Sequence, residues 1–328
     1  MLMKLDSPTM FKELYPLAPA YVQNILIHGI SDLQYFEAGE CVVCFQEKDW
    51  LKLQENPKWT ELALVIVPEQ AIIPEGVGTC VVLPLARPRL AFAKIMDFFV
   101  HAVEPSIHPT AIIHPSAVIG DGAMIGPYVV IHENCVIEQG AIIDAHCTLY
   151  PKTHMGANAR LYAHVSIGSP GFGFERVGPS WKNLPHCSGV KIGQRSVIGS
   201  FTAVAAGILH PTTIGDDVII DNHVQIAHHV SIGSGTAIAG CVGIAGSAKV
   251  GRNCMIGGSA MITGHITIAD GVVITGMTMV TKSLKTPGMY SSGLPVDTHA
   301  SWKKTVAAFH RMTQKYLAER MNHSETEL

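Results

Sequence analysis

Residues 107–143 read IHPTAIIHPSAVIGDGAMIGPYVVIHENCVIEQGAII, and an aliphatic returns at every sixth position: Ile107, Ile113, Ile119, Ile125, Ile131, Ile137 and Ile143. The series continues through Leu149, Met155, Leu161 and Ile167, resumes at Ile192, Ile198 and Val204, and slips by four residues. It then runs from Ile214 through Ile220, Ile226 and Ile232 to Ile274 and Val280. Two positions before each aliphatic the residue is usually small or β-branched, as at Ala111, Ala117, Val129, Cys135, Val218, Val224 and Ala248. A helix with about 3.6 residues per turn cannot hold a period of six on one face, whereas short strands joined by tight turns can. Three hexads then make one triangular coil, with each aliphatic pointing inward and stacking on its counterpart a coil later. The period predicts a mainly β protein built on a parallel β-helix.

Around that block the chain changes character. Residues 1–104 mix a strand-like TELALVIV with a helix-like LAFAKIMDFFVHAV and predict a separate α/β domain. Residues 105–286 form the repeat. Residues 287–328, after Thr286-Pro287-Gly288, place Trp302, Val306, Phe309, Met312 and Leu317 at roughly helical spacing, which predicts a C-terminal amphipathic helix or helix pair. Two segments interrupt the hexads, Ser169 to Gly189 and Ala205 to Pro211, and loops thrown from a rigid scaffold are where function concentrates.

Composition narrows the class. Hydrophobic residues make up 48% and charged residues 15%, yet no window reaches the roughly 18 uninterrupted apolar residues of a membrane span, so a soluble protein is expected. The N-terminal MLMKLDSPTMFKELYPLAPAYV carries acids and prolines where a signal peptide has an apolar run, which points to the cytoplasm. A net charge of −3 suggests no nucleic-acid partner. Eight cysteines are too sparse for a disulfide framework, and Cys41-Val-Val-Cys44 sits in a strand-like run that sends the two side chains to opposite faces.

The chemistry centres on DNHVQIAHHV, residues 221–230. His228 follows inward Ile226 by two residues, which sets it outside near a corner. One coil on stands Gly246, and two coils on Gly264, beside His265. A glycine above a histidine lets a substrate approach the backbone and offers an N–H to a developing oxyanion. Histidine suits the removal of a proton from an amine as it attacks a thioester. Asp221, seven residues upstream, is expected to orient the imidazole. His223 and His228 also read as H-x4-H, the zinc pair of γ-class carbonic anhydrases, with His186 or His210 as third ligand. Neither of these sits at the repeat spacing, and no metal or other cofactor is expected.

The hexad block, the GFG-containing loop, IIDNHVQIAHHVSIG, AGSAKVGRNCMIGGSAMITGHITI, TGMTMVTKSL and TPGMYSSGLP together resemble the UDP-3-O-acylglucosamine N-acyltransferase family of hexapeptide-repeat acyltransferases over nearly the whole chain. The resemblance implies a left-handed β-helix, a homotrimer with active sites between prisms, and a place in lipid A synthesis in a Gram-negative cytoplasm. It implies transfer of a 3-hydroxyacyl chain from acyl carrier protein, as a phosphopantetheine thioester, to the 2-amine of a UDP-linked, 3-O-acylated glucosamine. His228 then corresponds to the general base, Gly246 to the oxyanion donor, Asp221 and Asn222 to polar support, and His265 to a second active-site histidine. Phe172 and Gly173 fall in the substrate loop, and Met277, Met279 and Thr281 in the acyl channel. In the tail, Lys282, Lys285, Lys303, Lys304, Arg311, Lys315 and Arg320 outnumber Asp297 and Glu319, a balance of 7 − 2 = +5 that would attract an acidic carrier protein.

Three departures from the family pattern stand out. Pro170 replaces an Asp before Gly171-Phe172-Gly173, Ala205-Ala206 replaces an Asp-Arg pair, and the uracil-binding positions align with Cys44, Glu47 and Trp50. Trp50 is the expected stacking residue, with Phe45 as the alternative. The changes fall on the acceptor side, which implies a divergent member acting on a related or altered nucleotide amino sugar.

Overall fold

A computed structural model describes residues 3–75, 77–99, 106–293 and 296–324. Residues 100–105, Leu294 and Pro295 lie outside the described residues, as do the side chains of Leu317, Glu319 and Arg320. The chain divides into two compact units, Met1–Glu104 and Pro105–Leu328.

The first unit is a five-stranded sheet in the order β1 (Met3–Met10), β2 (Leu26–Ser31), β3 (Cys41–Val43), β4 (Leu64–Pro68), β5 (Val81–Leu85). The β1–β2 pair is antiparallel and the remaining pairs are parallel. Among the described residues three α-helices, α1 (Phe11–Leu14), α2 (Glu47–Gln54) and α3 (Pro88–Asp97), and a 3-10 helix, Pro57–Glu61, complete it. Strand alternation sends Cys41 and Val43 into one apolar layer with Phe11, Leu64 and Ile66, and Val42 and Cys44 into the other with Trp50, Trp59 and Val65. Both thiols are free and buried, and burial, aided by the Asp49 carboxylate, pushes the Cys44 thiol up to about 12. The Cys-x-x-Cys run is therefore packing.

The second unit is a left-handed parallel β-helix with three flat faces. The first face stacks eight strands from Val118–Ile119 to Thr267–Ile268. The second stacks nine from Met124–Ile125 to Gly288–Tyr290, and the third nine from Ile112–Ile113 to Met279–Val280. Register follows the hexads: Ile226 pairs with Ile244, and Ile244 with Ile262, each a shift of three hexads. The aliphatics, together with the small residues two positions earlier, fill one continuous core, and Ile226, Val224 and Val242 are almost wholly buried. Burying each such aliphatic contributes about 1.5–3 kcal/mol.

The third residue after each aliphatic turns the corner in the left-handed region, with φ of 58° at His223, 59° at His229, 61° at Ser247 and 59° at His265. This costs residues other than glycine about 1–2 kcal/mol. A hydrogen bond to the coil below offsets it, as where Ser247 N–H donates to His228 C=O at 2.9 Å.

The interruptions show as register jumps. An unbroken period would pair His154 with Phe172, but it pairs with Lys191, so the chain between them leaves the coil. That excursion carries an exposed antiparallel hairpin, Phe174–Val177 with Ser180–Asn183. Lys191 then pairs with Thr213 in place of Leu209, which is the slip seen in the hexads. At the C-terminus a single helix, α4 (His299–Ser324), stands where a helix or pair was expected. No Gly or Pro falls inside that span to break it.

Candidate active site

His228 occupies the corner where the third face passes into the first. Inward Ile226 fixes the register, and the next residue but one emerges half-buried. Gly246 stacks directly above it. A β-carbon on Gly246 would lie 2.7 Å from His228 Cε1 and 2.8 Å from Nε2, so only glycine fits beside the ring.

The backbone N–H two residues past each aliphatic is left out of the strand ladder. At some corners a side chain caps it: Asp216 accepts from Gln194 N–H at 2.9 Å, Asn222 from Ser200 N–H at 2.7 Å, and Asp270 from Arg252 N–H at 2.7 Å; at others, such as Gly240 and Gly258, no side chain among the described residues does. Among the described residues nothing caps Gly246 N–H, while Gly246 C=O accepts from His265 N–H at 3.1 Å. An uncommitted amide therefore stands beside an imidazole, a pair able to offer an anion donor and a proton acceptor.

Two further histidines, to which the repeat gave no role, complete the surroundings. His229 Nε2 accepts from Ile208 N–H at 2.8 Å and Leu209 N–H at 3.3 Å, so a neutral His229 carries its proton on Nδ1. That atom lies 3.4 Å from His228 Nδ1. A protonated His228 would set N–H against N–H there. His186, from the excursion, packs its ring 5.3 Å from that of His228 at 62°. Burial first, then His229, His186 and His265, hold His228 below the ordinary imidazole value. Burial and His210, His186 and His265 do the same for His229.

Asp221 does not orient His228 within the chain. Seven residues upstream is one hexad and one residue, which places Asp221 at the preceding corner, where its Oδ1 accepts from Asn222 N–H at 2.8 Å. Asn222 shares that corner and caps Ser200. His223 also lies there, its ring stacked 5.1 Å from Phe201 in a column that continues down through His164 and His146 to Tyr128. His223 and His228 thus occupy different corners, and among the described residues no three His, Cys, Asp or Glu side chains converge as a metal site. Spacing suggested the pair because four residues intervene, and the triangular coil separates it.

Phe172 is 88% exposed, and Gly173 packs against His186. Met277 and Met279 are exposed at the second–third corner and on the third face, and exposed Met261, one coil before Met279, joins them. Thr281 and Lys282 follow on the last coil. Lys282 falls in the His228–Gly246–Gly264 column, three coils on from His228. At about 4.8 Å per coil this is roughly 14 Å along the column. Lys285, Lys303, Lys304 and Arg311 are exposed. Ala205 and Ala206 are buried.

The first unit holds a cleft of about 640 Å³ lined by Asp32, Gln34, Phe45, Asp49, Lys52 and Phe92, among others. Phe45 contributes a half-buried ring held edge-on to Phe92 at 5.3 Å, with Arg89 5.0 Å from the Phe45 ring centre. Trp50 is not available to a base. It is 1% exposed, crossed edge-on by Trp59 at 5.0 Å, and its indole N–H donates to Ile72 C=O at 2.9 Å. Helix α2 turns this position into the core, a placement that residue type alone does not disclose.

Residues 107–169 match the family model of the GMPPB C-terminal domain, and residues 211–246 that of the bacterial transferase hexapeptide (six repeats). UDP-3-O-acylglucosamine N-acyltransferase of Pseudomonas putida KT2440 is 45% identical over 263 residues, 74% of this chain and 74% of that protein. The like-named protein of Pseudoalteromonas translucida is 43% identical over 160 residues, and there the match spans about half of each chain (49% and 47%). Among solved structures, LpxA from Acinetobacter baumannii superposes with a TM-score of 0.53 at 27% identity, covering 57% of this chain and 71% of that one. No helix among the described residues is long and apolar enough to cross a membrane.

Proposed function

We propose that this chain, which belongs to the UDP-3-O-acylglucosamine N-acyltransferase family, transfers a 3-hydroxyacyl group from an acyl carrier protein thioester to the 2-amine of a UDP-linked, 3-O-acylated glucosamine, in the cytoplasmic stage of lipid A synthesis. The observation that carries the reading is the uncapped Gly246 N–H beside the half-buried, unprotonated His228. The amine nitrogen attacks the thioester carbonyl, and the negative charge on its oxygen is received by Gly246 N–H. His228 takes the amine's proton at Nε2 and returns it to the departing sulfur as the C–S bond breaks. Nε2 is free to accept only when the ring carries its own proton on Nδ1. That tautomer sets His228 Nδ1–H against His229 Nδ1–H, 3.4 Å apart, so the reading requires one of the two rings to turn when acceptor binds.

Lys282, three coils along the same column, offers a cation to the phosphate of the carrier's phosphopantetheine arm. In the later coils the outward residues of the first face are polar (Thr213, Ser231, Lys249, Thr267), although its first coils expose Val118 and Val136, whereas the second and third faces there expose Ile219, Met255, Met261 and Met279. That asymmetry supports a homotrimer in which two faces are covered by neighbours and Asp221 and Asn222 serve the site of another copy. With Ala205 and Ala206 buried and apolar, acceptor recognition falls to other groups, which favours an altered nucleotide amino sugar.

The test is His228→Ala. Turnover of carrier thioester with a UDP-amino sugar should fall by about 10²–10⁴-fold with the melting temperature and oligomeric state unchanged. An active His228→Ala protein sinks the assignment.

A further inference from the structure

We infer that His186 is a positioning residue for His228, an inference that rests on reading His228 as the base. His186 rides on the excursion between residues 169 and 189, far outside the hexad register, yet its ring meets that of His228 at 5.3 Å and 62°. Two glycines hold it there. A β-carbon on Gly171 would lie 2.8 Å from His186 Nε2 and 3.1 Å from His228 Cβ, and one on Gly173 would lie 2.8 Å from His186 Cε1. Real β-carbons do not approach so closely, so both sides of the seat require glycine. Phe172 between them points away, largely exposed. The Gly-Phe-Gly run in this chain is thus a cradle for an imidazole.

Both nitrogens of His186 are buried without a hydrogen-bond partner among the described residues. Leaving a buried polar group unpaired costs about 1–3 kcal/mol, so packing alone would favour an apolar ring here. The imidazole covers one side of His228, excludes water from it and fixes its attitude toward Gly246. The groups that bear electrostatically on His228 are all imidazoles: His186 from the excursion, His229 from its own corner, and His265 from two coils on. His210, on the slip segment, acts on His229. His186 therefore favours the unprotonated base.

The full-length protein tests this by pairing kinetics with an NMR titration of His228, its signal identified by its loss in His228→Ala. In His186→Ala, kcat should fall by roughly tenfold or more while KM for the acceptor stays within about threefold. The His228 midpoint and the acidic limb of kcat/KM should both move to higher pH. Gly173→Ala, which pushes the His186 ring aside, should reproduce the shift. In the His186→Ala background it should add less than about twofold, because the two changes act through one contact.

A wild-type pH profile and titration in His186→Ala overturn the proposal. So does an equal cost of Gly173→Ala in both backgrounds, which remains measurable even if His186→Ala fails to fold through comparison with His186→Gln. If His228→Ala is inactive while His186→Ala behaves as wild type, only this inference fails. If His228→Ala is active, the base reading fails with it.

Discussion

Burial and three neighbouring imidazoles keep the proton off His228 where an exposed histidine would begin to take it up. Activity should therefore hold as pH falls through 6.5, the ordinary value, and decline only below it, as a kcat/KM profile will show. The stability linkage has the same direction. The folded chain binds fewer protons at His228 and His229 than the unfolded chain, so their contribution to stability is complete above the unfolded value and is lost as pH falls below it. In the first unit the same scale separates two aromatics that the sequence alone leaves as rivals. Phe45→Ala should weaken binding of a uridine nucleotide about three- to tenfold with little change in melting, whereas Trp50→Ala should destabilise by about 3–5 kcal/mol. Calorimetric titration beside thermal melts distinguishes them.

A coil of the β-helix has no tertiary support except the coils above and below, so damage stays near where it is made. Ile226→Ala removes a fully buried aliphatic next to the His228 corner and should cost about 2–5 kcal/mol, with amide protection lost first in the coils around Val204 and Ile244. Ile219→Ala, on the outer side of the second face and 55% exposed within the single chain, should leave the fold of each coil intact. Hydrogen exchange compares the two directly. At this scale the hexads also explain the candidate catalytic corner. The same register that turns Ile226 inward puts His228 under Gly246, and it carries Asp221 to another corner. Their separation in number gives no warning of that, because distance round a triangular coil is set by faces.

On the scale of the whole molecule, exposed cations gather toward the C-terminal end of the chain, where Trp302, Phe309 and Met312 are exposed among them. The later coils of the first face are polar, the other two faces carry exposed methionines and isoleucine, and Lys282, Lys285, Lys303, Lys304 and Arg311 stand exposed from the last coil onward. An acidic carrier protein drawn to these cations should show a KM that rises with ionic strength. The double substitution Lys303→Glu with Lys304→Glu should raise that KM about five- to tenfold at low salt and leave kcat for a short thioester analogue unchanged. Steady-state assays across a salt series provide the check.

The sequence by itself determined the parallel coil, its three-hexad register and the stacking of Gly246 on His228, because a period of six fixes which residues face inward and which stand one coil apart. It also marked the two interruptions, where the period fails. Only the tertiary structure decided what the interruptions do. His186 and His228 are far apart in the chain, and no period links a loop to a coil, so the contact exists solely because the excursion folds back with Gly171 and Gly173 against the ring. Trp50 was decided in the same way, since a helix of the first unit turns it into the core and leaves Phe45 at the cleft. DNHVQIAHHV thus divides into a corner residue, His223, in a stacked column, a candidate base, His228, and a neighbour, His229, whose proton position is set by the slip segment.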